Sequence, residues 1–220
     1  MAKLRPTPSQ TVGPFFAYGL TAEQFGYSYN AIIDRTIADP DTPGEHITIT
    51  GRVFDGNGIP VPDAMLEFVQ ADAAGNFRTE PIELLAPDSP QQGRFVLSGT
   101  TRNGAAYHSP EFRGIGRAGT EQTPAGTYWM QTVKPGSVDN EAPHIDVTLF
   151  SRGSLRDLRT RIYFSDEAEA NATDPLLNEV PAGRRHTLLA QRREQNGQVF
   201  YDFDIRMQGE GEAVFFLMSE

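Results

Sequence analysis

Two residues, His144 and Asp146, have the types and spacing of a metal-binding pair. They lie two apart in a segment whose polar and apolar residues alternate, and such alternation predicts a strand. Side chains at positions i and i+2 of a strand project from one face, so an imidazole and a carboxylate are available to a single ion. The alternative is a pair of polar residues on a solvent or interface face. Further ligands would have to come from His108, Asp139 or Glu141.

Arginine is the second residue type that points to binding chemistry. The segment after the His144 strand contains Arg152, Arg156, Arg159 and Arg161, and the stretch from 100 to 126 contains Arg113 and Arg117. A guanidinium binds a carboxylate through two parallel hydrogen bonds. The alternative is a solvated face that balances an acidic chain. Counting residues does not single out one anion-binding arginine.

Composition and missing motifs exclude several classes of function. The 220-residue chain has no cysteine and a net charge of −10. The lack of cysteine excludes disulfides, cysteine-ligated metal sites and thiol nucleophiles, and the acidity disfavours nucleic acid and anionic membrane surfaces. The sequence contains no phosphate-binding loop, dinucleotide fingerprint, His-Glu-x-x-His or Gly-x-Ser-x-Gly motif. With no apolar run of about 18 residues and no apolar leader, we expect a cytoplasmic protein.

Short apolar stretches punctuated by 21 glycines and 16 prolines indicate an all-β fold. Period-two alternation over 46–54, 127–133 and 143–150 predicts strands, and Asn196-Gly197 predicts a hairpin. We predict eight to ten strands in an antiparallel two-sheet β-sandwich or a barrel, with a last strand over 213–217.

Outside the strands, the sequence predicts an irregular arm and one short helix. Pro6, Pro8, Gly13 and Pro14 argue against a regular helix in residues 1–45, yet the aromatic residues there indicate that the segment packs on something. We therefore predict an irregular N-terminal arm over 1–45 and a β-domain over 46–220. The short helix is expected over 166–172, capped by Ser165 or Asp166.

Nine segments, in order along the chain, resemble the intradiol ring-cleaving dioxygenases. They are Thr7–Phe15, Gly51–Asp63, Glu67–Gly75, Val133–Gly136, Pro143–Ile145, Leu149–Gly153, Arg161–Phe164, Glu167–Asn171 and Phe203–Glu212. The resemblance covers residues from about 6 to 217 and implies the β-sandwich of that family. It also implies non-haem iron chemistry, in which a catechol ring is opened by O₂ between its two hydroxyl groups.

The resemblance also implies that this chain has lost its own iron site. Catalytic chains of the family hold Fe(III) with two tyrosinates and two histidines. The matching residues here are Phe77, Val138, His144 and Asp146, so three of the four ligands are missing. The resemblance therefore implies a chain with no metal and no catalytic residue of its own. Its partner would be an iron-bearing β chain in a large symmetric αβ assembly.

Four residues match positions that the family's iron-free chains lend to the partner's active site. They are Thr11, Gly13 and Pro14 in the arm, and Arg152 in the segment Leu149–Gly153. The resemblance implies that Arg152 pairs with a ring carboxylate of the substrate or supplies a local positive field there, and that the arm packs on the partner. The alternatives are an arm that only builds an interface, and an arginine in a surface ion pair. Residues 100–126 match the family loosely, so the sequence does not establish which residues form the rim of the substrate site.

Two other functions remain open at the level of sequence. One is a β-sandwich scaffold or binding module that kept the family fold and lost catalysis. The other is an independent metalloenzyme with a repurposed site at His144 and Asp146.

Overall fold

The structure, a computed structural model, describes residues 11–13, 15–26, 33–78, 98–100, 106–108, 112–121 and 123–217. This part of the chain contains eleven strands and three short α-helices. The strands are β1 His46–Phe54, β2 Met65–Val69, β3 Ser98–Thr100, β4 Ala106–His108, β5 Ile115–Gly119, β6 Thr127–Val133, β7 His144–Phe150, β8 Leu158–Phe164, β9 Leu189–Gln195, β10 Gln198–Asp202 and β11 Ile205–Arg206. The α-helices are α1 Phe15–Leu20, α2 Ala168–Thr173 and α3 Pro175–Glu179, and two 3₁₀ helices cover Ala22–Phe25 and Ala182–Leu188. None of the described helices is long and apolar enough to cross a membrane.

Nine of these strands form one nearly closed sheet. Its order is β11-β1-β10-β9-β8-β7-β2-β5, with β6 paired to β1, while β3 and β4 form a separate pair. One half of the sheet contains β1, β6, β9, β10 and β11, and the other contains β2, β5, β7 and β8. Two parallel residue pairs between β8 and β9 join the halves: Tyr163 with Leu189 and Phe164 with Ala190. The pairings of β1 with β10 and β11 are also parallel, whereas the sequence suggested antiparallel pairs throughout.

The inward faces of the two halves share one core. Ile49, Met130 and Tyr201 come from one half, and Phe68 and Val147 come from the other. Each has a relative exposure of 1% or less. The all-β prediction is therefore confirmed, and the division into two separate sheets stays a prediction.

The alternation pattern and the turn residues predicted several elements correctly. β1 and β6 begin and end at the predicted residues, and β9 and β10 form the predicted hairpin. Asn196 and Gly197 at its tip have φ values of 53° and 77°. This left-handed geometry matches the right-handed twist of the flanking strands, and asparagine and glycine tolerate it best.

The expectation of no helix in the N-terminal segment was wrong, because α1 begins directly after Pro14 in the sequence. A proline just before the first helical turn costs no hydrogen bond, since the first amide groups of a helix lack partners in any case. The same reasoning accounts for the unpredicted α3, where Pro175 occupies the first turn and Asp174 accepts a hydrogen bond from the Leu177 amide.

The predicted helix near 166–172 is confirmed as α2, but the predicted caps were wrong. Its N-cap is Glu167, whose side chain makes no capping bond, and Asp166 binds other side chains instead. The predicted strand over 213–217 was also wrong. The Ala213 amide donates to the Arg206 carbonyl and the Phe216 amide to the Arg159 carbonyl, so the segment alternates between two strands and forms no continuous ladder.

Residues before β1 contribute to the core. Ile37 is fully buried, and its amide donates to the Gln131 carbonyl of β6 at 2.8 Å. The boundary at residue 45 and the packing of the arm on a partner stay predictions.

Lys134 connects three segments that meet beside the junction of β8 and β9. Its ammonium donates to Asp166 at 2.8 Å and to Glu167 at 2.5 Å, and the Tyr201 hydroxyl donates to Asp166 at 2.9 Å. Burial alone would lower the pKa of Lys134, but its bonds to the two carboxylates hold that pKa above its ordinary value. Burial alone would raise the pKa of Asp166, but Lys134 and Tyr201 together lower it.

We expect Asp166→Asn to lower the free energy of unfolding at pH 7 by about 1–2 kcal/mol, because the usual value of about 1.5–3 kcal/mol for hydrogen bonds to a charged group is reduced at a side chain that is 33% exposed. The folded pKa of Asp166 lies below the unfolded value, which is about 3.9. Its stabilisation is therefore present above that pH and is lost as pH falls towards the folded pKa. Urea denaturation of both proteins at pH 7, 5 and 3 measures the difference.

The matched control is Asp202→Asn, because Asp202 pairs with Arg193 and its side chain is 48% exposed. We expect this substitution to change stability less at pH 7. A constant difference between Asp166→Asn and the parent from pH 7 to pH 3 would contradict the assignment.

Candidate functional site

Strand β7 carries His144 and Asp146 on the face turned away from the core. Ile145, Val147 and Leu149 are buried in the core, so the intervening side chains project to the other side. His144 is 4% exposed, and its Nδ1 donates to the Ala142 carbonyl at 2.7 Å. The strand therefore places this pair on one face, as its spacing predicted.

The guanidinium of Arg161 binds both acidic neighbours of His144. Arg161 lies opposite Asp146 in the ladder between β7 and β8. Its Nε donates to Asp146 at 2.8 Å, and its Nη1 donates to Glu141 at 2.8 Å. Burial alone would lower the pKa of Arg161, but Asp146 and Tyr163 hold it above its ordinary value. The two carboxylates that a metal would need are thus already bound to one permanent cation.

Tyr163 lies beside this group as a neutral phenol. Its ring is 6.1 Å from that of His144, centroid to centroid, and its hydroxyl donates to Asp174 at 3.0 Å. Burial raises the pKa of Tyr163 well above its ordinary value, although Arg161 partly opposes this effect. Asp174, which is fully buried, also accepts from the Ala142 amide at 2.9 Å. Tyr163 is therefore committed to this network and does not supply a tyrosinate.

Two loops that carry Phe77 and Val138 pack backbone against backbone. Gly75 has a φ of +84°, and a Cβ there would lie 2.1 Å from the Ser137 carbonyl oxygen. A Cβ at Gly136 would lie 2.6 Å from the Ala73 carbonyl oxygen, and the Gly136 amide donates to the Asp72 carbonyl at 2.9 Å. This contact holds the loops together without help from the Phe77 or Val138 side chains.

The donor set at these positions does not fit ferric iron. Fe(III) favours anionic oxygen donors, and neither Phe77, which is 43% exposed, nor Val138 has an oxygen in its side chain. Asp146 is bound to Arg161. Among the residues that the structure describes, no three His, Cys, Asp or Glu side chains form a group able to hold a metal. The side chain of His108 lies outside the described part.

Of the other predicted residues, Arg152 lies at the opposite end of β7, in the turn over 151–154. Gly153 adopts a φ of +84°, and the Ser154 amide donates to the Ser151 carbonyl at 3.2 Å. The Gly153 amide donates to the Thr11 hydroxyl oxygen at 2.8 Å. The structure thus brings together Thr11 and the Arg152 turn, which are far apart in the sequence. Gly13 is exposed, and Pro14 lies outside the described residues.

Arg152 presents an exposed guanidinium at this turn. Its side chain is 59% exposed, and its Nε lies 2.5 Å from Asp63 Oδ2. By contrast, Arg113 binds Asp34 and Arg117 binds Glu67, with arginine exposures of 19% and 14%. Those two arginines serve internal packing, so they are poor candidates for binding an external anion.

The two candidate groups are too far apart to act on one small molecule. β7 extends from His144 to Phe150, and at about 3.3 Å per residue its ends are roughly 20 Å apart. Arg152 lies beyond the far end. A single aromatic ring therefore cannot contact both Arg152 and the positions around His144 in this chain.

Sequence reasoning missed Asp63, Arg161 and Tyr163 as members of these groups. Arg161 was named as one of four arginines, but spacing alone did not show that it would lie opposite Asp146. The pairing of β7 with β8 supplies that information. Asp63 ends one of the family segments, but nothing in the sequence indicated that it would pair with Arg152, because the tertiary fold brings the two together.

Comparison with known proteins identifies the family. A family model described as Dioxygenase matches residues 23–209. The protocatechuate 3,4-dioxygenase alpha chain of Burkholderia cepacia is 47% identical over 98% of this chain and 99% of its own length. The chain belongs to the intradiol ring-cleavage dioxygenase family. The corresponding alpha chain of Pseudomonas putida is 43% identical over 97% of this chain and 96% of its own length.

More distant relatives match this chain in sequence or in structure. The protocatechuate 3,4-dioxygenase beta chain of Burkholderia cepacia is 28% identical over 86% of this chain and 75% of its own length. The dioxygenase domain of a carbohydrate-binding fusion from Streptomyces sp. SirexAA-E has a TM-score of 0.54 at 22% identity, over 93% of this chain and 99% of that one. An intradiol ring-cleavage dioxygenase from Tetranychus urticae has a TM-score of 0.54 at 16% identity, over 92% of this chain and 94% of that one.

We expect Arg161→Met to lower the free energy of unfolding by about 2–3 kcal/mol, because two half-buried carboxylates lose their shared cation. Adding Asp146→Asn should recover part of that loss, since one unpaired charge is removed. Urea denaturation of the single and double variants measures both effects. The control is Arg193→Met, which removes an arginine that is 39% exposed. A loss equal to that of the control would show that the Arg161 network contributes little.

Proposed function

We propose that this chain is the α subunit of a protocatechuate 3,4-dioxygenase. In this proposal it binds no iron, and it completes the active site of an iron-bearing β subunit. The observation that carries the proposal is the separation between Arg152 and the degenerate metal positions around His144. An anion-binding group roughly 20 Å from its own chain's metal positions serves a reaction centre outside that chain.

The reaction in this proposal opens the ring of protocatechuate with O₂ between its two hydroxyl-bearing carbons, which gives 3-carboxy-cis,cis-muconate. The ferric iron belongs to the partner subunit. The similarity to two alpha chains, at 47% and 43% identity, supports the subunit assignment. The similarity to a beta chain supports a partner of the same fold.

The role of this chain is to recognise the substrate's carboxylate. Protocatechuate is an anion, and a chain with a net charge of −10 repels it. Arg152 supplies a local positive charge and two terminal nitrogens suited to a carboxylate. Thr11 supports this arrangement by accepting a hydrogen bond from the turn that carries Arg152. We include Gly13 and Pro14 in the same site as neighbours of Thr11 in the sequence.

The assembly in this proposal is a large symmetric αβ complex in the cytoplasm. The N-terminal arm packs on the β subunit. The alternative of a metalloenzyme with a repurposed site at His144 and Asp146 is disfavoured, because Arg161 occupies both nearby carboxylates.

The first test compares the purified chain with the complex formed by co-expression with a candidate β chain. We expect the chain alone to be colourless, iron-free and inactive. The complex should contain iron, show the red-brown colour of tyrosinate–iron charge transfer and consume O₂ with protocatechuate. Stoichiometric iron and ring cleavage in the isolated chain would overturn the proposal.

The second test is Arg152→Ala in the co-expressed complex. We expect kcat/KM for protocatechuate to fall by the equivalent of about 1–3 kcal/mol, the value of a charged hydrogen bond. The matched control is Arg156→Ala, which removes an equally charged and exposed side chain from the same connection. Equal effects of the two substitutions on kcat/KM would mean that Arg152 acts only through its positive charge and does not bind the substrate's carboxylate directly.

A further inference from the structure

Asp63 lies on a well-anchored segment next to Arg152. The flanking Ala64 is fully buried, its amide donates to the Thr120 hydroxyl oxygen at 2.9 Å, and its carbonyl accepts from the Thr120 amide at 2.9 Å. On the other side, the Val61 amide donates to the Val53 carbonyl at 2.9 Å. The Asp63 carboxylate, which is 21% exposed, therefore projects from a backbone fixed on both sides.

The contact between Asp63 and Arg152 involves the inner nitrogen of the guanidinium. Asp63 Oδ2 lies 2.5 Å from Nε, and within the described part of the chain Asp63 is the only acidic partner of Arg152. Both terminal nitrogens therefore remain available. A carboxylate ligand binds a guanidinium through two parallel hydrogen bonds, so a contact at Nε fixes the side chain while leaving its outer edge open.

An exposed arginine without such a contact samples many rotamers and loses that freedom on binding. Arg152 projects from a turn whose backbone is held by Gly153 and Thr11, and Asp63 holds its side chain. We propose that Asp63 is a positioning residue: it orients the Arg152 guanidinium so that the two terminal nitrogens face the ring carboxylate of the substrate. This inference rests on the proposed function.

The alternative is that the Asp63 carboxylate opposes substrate binding. It lies close to the charge that attracts the substrate's carboxylate, and like charges repel. The two roles predict opposite changes when Asp63 is replaced. Orientation requires an oxygen beside Nε, whereas repulsion requires only the negative charge.

The test measures kcat and KM for protocatechuate in the iron-containing αβ complex. Asp63→Ala removes the ion pair, and we expect KM to rise roughly three- to tenfold with kcat unchanged, on the scale of one lost polar contact. Asp63→Asn retains an oxygen beside Nε and should keep KM within about twofold of the parent, by the same energy scale. A fall in KM for both variants would overturn the inference and show that the carboxylate repels substrate.

The matched control is Asp157→Asn together with Asp157→Ala. Asp157 lies in the connection between β7 and β8 that also carries Arg152, and its Oδ2 accepts from Arg159 Nε at 2.7 Å. These changes therefore remove the same charge from a similar ion pair. We expect KM to stay unchanged in both. A rise in KM equal to that of Asp63→Ala would contradict a specific role for Asp63.

A double-mutant cycle separates this inference from the proposed function. If Asp63 acts through Arg152, Asp63→Ala should have no further effect on KM in an Arg152→Ala background. If Arg152→Ala alone leaves KM unchanged, the proposed role of Arg152 fails. If Arg152→Ala raises KM and Asp63→Ala does not, the proposed function stands and the role of Asp63 fails. Thermal unfolding of each complex shows whether folding is affected.

Discussion

The register of β7 determines where the polar chemistry of this chain can occur. The burial of Ile145, Val147 and Leu149 in the core fixes which side chains face outward. A shift of one residue would place His144 and Asp146 in the core and expose the apolar set. The pairings with β2 on one side and β8 on the other secure that register. β8 thereby brings Arg161 opposite Asp146, and the far end of β7 leads into the turn that carries Arg152.

The arginines at the two ends of β7 differ in how their charge is used. Arg161 is 10% exposed and is shared between two carboxylates of its own chain. Its charge therefore stabilises the fold and attracts external anions only weakly. Arg152 is 59% exposed and has one carboxylate partner at its inner nitrogen. In a strongly acidic protein, an arginine with open terminal nitrogens creates a local region that attracts anions. Exposure and partners, rather than residue type, are what differ between these two arginines.

Residue patterns predicted the strands better than the helices or the sites. β1 and β6 combine period-two alternation with clear turn residues, so local sequence specifies both their type and their bounds. α1 and α3 have six and five residues, which is too short for a helical period to emerge. The candidate site residues came from family motifs, but the motifs did not show which of these residues contact each other. Thr11 and Gly153 are 142 positions apart, and only the folded chain shows that they touch.

The close packing of Gly75 against Ser137 has a consequence for how such chains diverge. In many metal sites the ion itself helps to hold its loops in place. Here the main chain does so, since a side chain at Gly75 or Gly136 would collide with backbone atoms. The positions of the two loops therefore do not depend on the side chains at 77 and 138. Chains of this fold can differ at those two positions without loosening the loops, whereas neither glycine can be replaced without a collision with backbone atoms.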